Sequence, residues 1–406
     1  MKFCAVCVTA DGLGGGTTGG AENQVALLLS HLVSRGHEAT LVVPGLADLP
    51  SMRQGVRILS GWDPQPGVRG LRAFTYRLPR LRQVLREVAA DAYYVRGFSF
   101  FAPSLVSAAR SARGASLLAL ASDADLRLRR DALAGDRGSL YDRLRNGRTA
   151  SLYYQRRGLS RATRVIAQTT GQLEECGRLG LSAVRIAGIV EEPPPPVAGP
   201  DDGADVIWVG SLDRWKGVDA LAGLVAALPE VRFEVVGPRR HNVAATTLDR
   251  VLRAANVRYL GELPHAAAWE RMRPARLLAN TSPLEGFSNT MLEAWAVGTP
   301  VVSLAANPDE LLAANPDDLP PQDPDDLPPA GRSPGRRSAA LGLCAGGSPA
   351  ALLDMVRRLL DDEEGRRAAG RRAIDYVRSF HSPAAVCRSF EELVGIVQAA
   401  PGDLGS

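Results

Sequence analysis

Short apolar runs alternate with stretches of helical period in two separate halves of this chain, and no other feature constrains the fold as tightly. The first half reads KFCAVCV, QVALLLSHLVSRG and EATLVVP, then AYYV, ASLLALAS and TRVIAQT. Alternation of this kind marks a parallel sheet wrapped by helices. It breaks at EEPPPPVAGPDDGAD, residues 191–205, where four consecutive prolines leave neither helix nor inner strand. It then restarts as VIWVGS, GVDALAGLVAAL, RFEVVG, a helix near 245–255, VRYLG, a helix over 265–273, RLLAN, a helix near 289–297 and PVVSL. The expected fold is therefore α/β, with two Rossmann-like doubly wound domains facing each other across a cleft. Sheets of this kind bind ligands beyond the carboxyl ends of their strands.

The boundaries that follow are 1–190 for the first domain, 191–205 for a semi-rigid linker and 206–375 for the second domain. Residues 376–406 form a helical tail expected to pack back on the first domain. Residues 306–338 carry PDDLPP twice over, many prolines and no apolar period. They read as a disordered surface insertion, with a functional lid as the lesser alternative.

At 406 residues the chain can bury two sizeable cores. A net charge of only +4 gives no reason to expect nucleic acid. Lysine occurs only at Lys2 and Lys216 and arginine supplies the remaining cations, which makes an interior lysine conspicuous. Cys4 and Cys7 form a C-x-x-C, but on a strand they point to opposite faces and no second pair completes a zinc site. Core cysteines and a reduced, cytoplasmic compartment are expected. No secretory stretch opens the chain and no run of about 18 apolar residues suggests a membrane span. Eleven arginines between Arg127 and Arg164, interleaved with Leu and Tyr, read first as a solvated helical face. Peripheral contact with anionic lipid is the alternative reading.

The segment TADGLGGGTTGGAENQV, residues 9–25, contains the spacing Gly14-x-Gly16-x-x-Gly19, which fits a dinucleotide template. That template also needs a carboxylate at the end of the second strand, whereas ATLVVPGL ends in Pro44 and Gly45. A mobile phosphate-facing loop is the better reading, and an NAD oxidoreductase is set aside.

The strongest chemical signal is LLANTSPLEGFSNTMLEAWAVGTPVVSL. A strand ends near Asn280, a loop carries Glu285 and Gly286, and a helix begins at about Ser288. Ser288 and Asn289 are good cap residues, and free N–H groups at that helix entrance suit phosphate oxygens. Two glutamates there, Glu285 and Glu293, would repel a phosphate that touched them. They make sense if each accepts hydroxyl hydrogen bonds at either end of a diphosphate, one from a sugar and one from a ribose. In VIWVGSLDRWKGVDAL a strand ends at Val209 and Lys216-Gly217 opens a helix. Lysine is poorly placed in a first turn unless an anion shares the site.

VGSLDRWKG, VVGP, VRYLGELP and SPLEGFSNTMLEAWAVGTPVV follow in the order seen in family 4 retaining glycosyltransferases of GT-B architecture. Glu285-x7-Glu293 matches the E-x7-E signature of that family, and TGGAENQVALLLSHLVSRGHEATLVV resembles its opening loop and helix. The likeness is specific from Val206 to Leu304, good from Gly19 to Val43 and weak between about 45 and 160. It implies that the first domain binds an acceptor and the second a nucleotide-diphosphate sugar, with no obligatory metal or other cofactor. Lys216 would contact the diphosphate, Glu293 the ribose and Glu285 the transferred sugar. Backbone groups over Gly286, Phe287, Ser288 and Asn289 would receive phosphate or sugar oxygens, and Gly19 and Gly20 would let the first loop close over the same phosphates.

Two departures stand out. Ser211 replaces the usual arginine after the glycine of the lysine motif, with Arg214 as a substitute from the same loop. The histidine often found beside the reacting sugar is absent. Ser122 or Asp123 stands near its place, and Asp123 is read either as a group that binds an acceptor hydroxyl or accepts its proton, or as a strand-end cap. The activity implied is sugar transfer to an acceptor hydroxyl. A sugar-nucleotide epimerase or hydrolase of the same fold, or a catalytically degenerate binding protein, are the alternatives.

Overall fold

Parallel strands covered on both faces are near-continuous apolar runs, and two sheets of this composition organise the molecule. The computed structural model describes residues 1–13, 19–45, 51–63, 65, 73–97, 100–123, 125–126, 157–195, 203–240, 242–315 and 340–399. The chain divides into two compact units, Met1–Ile189 with Pro383–Ser406, and Val190–Ser382.

In the first unit the strands are β1 (Lys2–Val6), β2 (Glu38–Pro44), β3 (Met52–Arg53), β4 (Val56–Trp62), β5 (Ala92–Arg96), β6 (Ala115–Ala119), β7 (Arg164–Ala167) and β8 (Ala183–Arg185). They line up as β3-β4-β2-β1-β5-β6-β7-β8, parallel throughout except for the β3–β4 edge pair. Helices α1 (Gly20–Ser34), α2 (Leu78–Val88), α3 (Ala102–Ala112) and α4 (Thr170–Arg178) accompany them. The period of two is visible in β1. Phe3, Ala5 and Cys7 join one apolar cluster, while Cys4 and Val6 join another. Cys4 and Cys7 thus lie on opposite faces, and burial pushes their thiols up to about 12 and about 11, so neither works as a thiolate at neutral pH. All five cysteines are buried thiols and none forms a disulfide.

The second unit carries β9 (Val206–Val209), β10 (Phe233–Val236), β11 (Val257–Gly261), β12 (Leu277–Asn280), β13 (Val301–Ser303) and β14 (Gly342–Cys344), in the order β11-β10-β9-β12-β13-β14. Its helices are α5 (Val218–Ala227), α6 (Ala245–Leu252), α7 (His265–Met272), α8 (Asn289–Ala296), α9 (Pro349–Asp361) and α10 (Glu363–Phe380). Strand order reverses between β9 and β12, which places the switch point of this sheet between the loops that follow those two strands. Ile207 and Leu278 face one cluster, Val206, Trp208, Leu277 and Ala279 the other.

The chain returns to the first unit at Pro383, later than the 376 boundary expected from sequence. Its last helix, α11 (Pro383–Ala399), puts Val386, Cys387, Phe390, Leu393 and Val394 into the same cluster as α1. Phe390 packs edge-on against Tyr94, with ring centroids 5.5 Å apart. Glu391 is held by Arg35 through two bonds of 2.7 Å and by His37 at 2.9 Å.

The first residues of the insertion expected over 306–338 are packed into the second unit instead. Leu311 and Leu312 are buried in the core of the second unit, and Ala313 bridges to Leu343 of β14. Two adjacent leucines outweigh the surrounding Pro and Asp by the area they bury. Residues 316–339 lie outside the described residues, as do 14–18 of the glycine loop, 196–202 of the linker and 127–156 of the arginine-rich segment. Among the described residues no helix is long and apolar enough to cross a membrane, and no group of three or more His, Cys, Asp or Glu is placed to hold a metal.

Candidate active site

The loop after β9 is locked before it reaches Lys216. Residues Arg214–Lys216 form one 3-10 turn, capped by the Asp213 carboxylate, whose Oδ1 accepts the N–H of Trp215 at 2.8 Å and of Lys216 at 2.9 Å. Lys216 therefore stands just before α5, beside its N-terminus rather than in its first turn. Gly217 follows with φ +70°, and a Cβ on it would come 1.9 Å from the carbonyl oxygen of Thr281. Only glycine lets this loop lie against the one after β12. The Thr281 hydroxyl donates to the Lys216 carbonyl at 2.7 Å and accepts from the buried indole Nε1 of Trp208 at 2.9 Å. The two loops at the switch point are thus tied by side chain and backbone together.

Across that seam Lys216 Nζ is paired with Glu285 Oε1. The other Glu285 oxygen accepts from Asn280 Nδ2 at 2.9 Å, and Asn280 Oδ1 accepts the Ser282 N–H at 2.9 Å. Lys216 and Glu285, expected to serve different parts of one ligand, lie in direct contact. The ammonium has three N–H groups, so it can keep the carboxylate and still donate outward. Its side chain is 34% exposed against 13% for Glu285, which leaves the cation as the accessible member of the pair.

Ser288 occupies the N-cap of α8 with extended backbone and makes no side-chain cap bond. Phe287 is buried and packs against Trp295 and His381, with centroids 6.1 and 4.9 Å away. Its ring anchors the loop, leaving only its backbone for a ligand. Gly286 does not take a positive φ, so its conformation does not by itself demand glycine. Ser211 lies at the start of the lysine loop, where its carbonyl accepts the Asp213 N–H at 2.8 Å. The Arg214 guanidinium lies over the exposed ring of Trp215, 5.1 Å from its centroid.

Glu293, one helix turn into α8, has a partner that the sequence reading missed. Its Oε1 lies 2.8 Å from Nε2 of His265, the first residue of α7. Burial opposes charge on this imidazole, but the hydrogen bond and charge of Glu293, with the charge of Glu191, raise its pKa above the ordinary value. The chain has only five histidines, and one falling directly after a strand–turn near the E-x7-E segment was the available signal.

In the first unit a recess of about 300 Å³ is lined by Asp123, Leu126, Thr169, Gly171, Gln172, Glu175 and Arg178. Gln172 orders it. Its amide donates to Asp123 Oδ1 at 2.9 Å and accepts the Gln168 N–H at 2.8 Å, while its own N–H is capped by Thr169 Oγ1 at 3.1 Å. Gln168 in turn accepts from Arg96 at 2.7 Å and donates to the Leu120 carbonyl. The two sequence readings of Asp123 separate here. The strand-end cap is Asp125, whose Oδ2 accepts the N–H groups of Ala121 at 2.7 Å and Ser122 at 3.2 Å. At the same carboxyl edge of this sheet, after β1, Gly19 caps α1 in extended conformation, and the Glu22 carboxylate folds back so that a Cβ on Gly19 would meet it at 2.4 Å. The anion at this helix terminus, which Gly20 begins, is the chain's own.

Comparison with known proteins fixes the class. Residues 19–189 match the glycosyl transferase 4-like domain and residues 203–330 match glycosyl transferases group 1. The chain belongs to the group 1 glycosyltransferases of GT-B fold, and it is a glycosyltransferase. Among solved structures it is similar to sucrose-phosphate synthase from Thermosynechococcus elongatus, at 18% identity and TM-score 0.68, covering 98% of this chain and 99% of that one. It also resembles a glycosyltransferase from Rickettsia africae at 12% identity and TM-score 0.65, covering 98% of each chain. WaaG, a glycosyltransferase involved in lipopolysaccharide biosynthesis, matches at 16% identity and TM-score 0.60, covering 97% of this chain and 99% of that one. At these identities the likeness is one of fold. No curated protein matches the chain.

Proposed function

We propose that this protein moves a sugar from a nucleotide-diphosphate sugar to an acceptor hydroxyl with retention of anomeric configuration. The observation that carries the reading is the Lys216–Glu285 pair at the switch point of the second sheet, beside the entrance of α8. In the reaction the bond from C1 of the sugar to the diphosphate oxygen breaks and the diphosphate leaves with the electron pair. The acceptor oxygen bonds to C1 from the same face and its proton passes to the departing phosphate. Lys216 and the first N–H groups of α8 stabilise the charge that grows on the leaving group, the kind of preorganised electrostatics that dominates many enzymes. Glu285, already fixed by Asn280, takes hydroxyls of the transferred sugar, and Glu293 takes a ribose hydroxyl.

Asp123, held by Gln172 at the edge of a recess of about 300 Å³, receives the acceptor hydroxyl. That recess is why transfer is favoured over donor hydrolysis, which needs no second site. Gly19 and Gly20 leave the α1 terminus open to a phosphate oxygen once Glu22 swings aside.

A thermal-shift panel of nucleotide sugars tests the donor. A donor at about 100 times its Kd should stabilise the fold by about 2.7 kcal/mol. The anomeric configuration of the product, read by NMR, then tests retention. An absence of any shift across uridine, guanosine, adenosine and thymidine diphosphate sugars would sink the donor site.

A further inference from the structure

The donor site carries a charge problem. A nucleotide sugar brings two negative charges on its diphosphate, and the site meets it with two carboxylates, Glu285 and Glu293. Glu285 is answered by Lys216. Arg214, the other cation of that loop, lies over Trp215. Glu293 is answered by His265, whose Nε2 lies 2.8 Å from Oε1 while its side chain stays 38% exposed against 12% for Glu293. The imidazole is therefore at the lip and the carboxylate behind it, as with Lys216 and Glu285. The ring rests against buried Trp269, 5.0 Å between centroids, which fixes its plane.

The charged groups acting on His265 come from three elements. Glu293 of α8 and Glu191 at the entrance to this unit favour the imidazolium, and the N-terminus of its own helix α7 opposes it. We propose that His265 is the second cation of the donor site: it occupies one oxygen of Glu293 and cancels that charge, so that the remaining oxygen can accept a ribose hydroxyl without repelling the diphosphate. The inference rests on the donor-site reading above and assigns His265 as a positioning residue within it.

Its consequence is a donor affinity that titrates. Burial acts against the charged ring, yet the two glutamates raise its pKa above the ordinary imidazole value. The sign follows directly. The cation is complete at low pH and is lost as pH rises through that raised pKa, leaving an uncompensated carboxylate near the diphosphate.

The test uses the full-length protein and whichever of UDP-glucose, GDP-mannose, ADP-glucose and TDP-glucose gives the largest thermal shift. Affinity is measured by calorimetry between about pH 5.5 and about pH 8, the range over which imidazole changes charge. The diphosphate diester keeps both charges across this range, so any titration belongs to the protein. The wild type should lose about fivefold in affinity with rising pH, the size expected for one partly screened charge. His265→Gln keeps an N–H near Glu293 without charge and should bind weakly at every pH. His265→Lys should bind tightly at every pH. A flat wild-type profile with binding retained, or a His265→Gln variant that tracks the wild type, overturns the inference and leaves the donor site standing. Failure of all four sugars to bind the wild type overturns the donor site and takes this inference with it.

Discussion

The carboxyl ends of the two sheets carry different chemistry. Around the switch point of the second unit the side chains meet as ion pairs, Lys216 with Glu285 and His265 with Glu293, set on loops tied together by Thr281 and Gly217. In the first unit the corresponding edge is held by amides, Gln168 and Gln172, which link Arg96, the Leu120 carbonyl and Asp123 into one hydrogen-bonded chain. Ion pairs with accessible cations suit a ligand that arrives charged and leaves more so. Neutral amides orienting one carboxylate suit hydroxyl groups, which need direction more than charge.

Three substitutions test that contrast. The largest effect is expected from Lys216→Ala, which should cost about 2–4 kcal/mol of transition-state stabilisation, a drop of about 30- to 10³-fold in kcat at saturating donor. Unchanged turnover in a folded variant would break the assignment of charge work to the second unit. Gln172→Leu removes the orienting amide from Asp123 and should raise the acceptor KM about tenfold, the size of a lost buried hydrogen bond. Donor affinity measured by calorimetry should stay as in the wild type; a matching loss there would mean the two sheet ends do not divide the labour.

Glu391→Gln, distant from both loops, should lower Tm by a few degrees at neutral pH without altering either constant. The hydrogen bond from Arg35 pulls the Glu391 carboxyl from the ordinary 4.5 to about 2, with burial opposing and His37 assisting. A depressed carboxylate stabilises above its unfolded pKa and loses that contribution as pH falls through the folded one. The difference in Tm between variant and wild type should therefore close as melts are repeated in increasingly acid buffer.

Most strands were legible because parallel strands buried on both faces leave uninterrupted apolar runs, as VIWV and LLAN do. The strand β14 was not, since GLC is only three residues long and the stretch before it, GRSPGRRS, is arginine, glycine, serine and proline. Leu311 and Leu312 were hidden by the surrounding Pro and Asp. Lys216 was visible because arginine fills almost every other basic position. His265 was not, because its partner lies 28 residues away and only the packing of α7 beside α8 brings them together. Gln172 belongs to no motif. Its importance comes from having all three polar ends engaged, a tertiary fact that composition does not encode. Of the two readings the sequence left open for Asp123, the strand-end cap falls to Asp125, two positions on, because a strand end read from apolar content is uncertain by about that much.

The final helix changes the order in which this protein can mature. Domains generally fold in turn as the ribosome delivers them. Here the second unit is one uninterrupted stretch, Val190–Ser382, whereas the first is incomplete until α11 supplies Phe390, Leu393 and Val394 to the wall beside α1. The segment made first therefore waits, with that wall uncovered, until residues 383–399 have emerged, and the segment made second has every residue it needs before then.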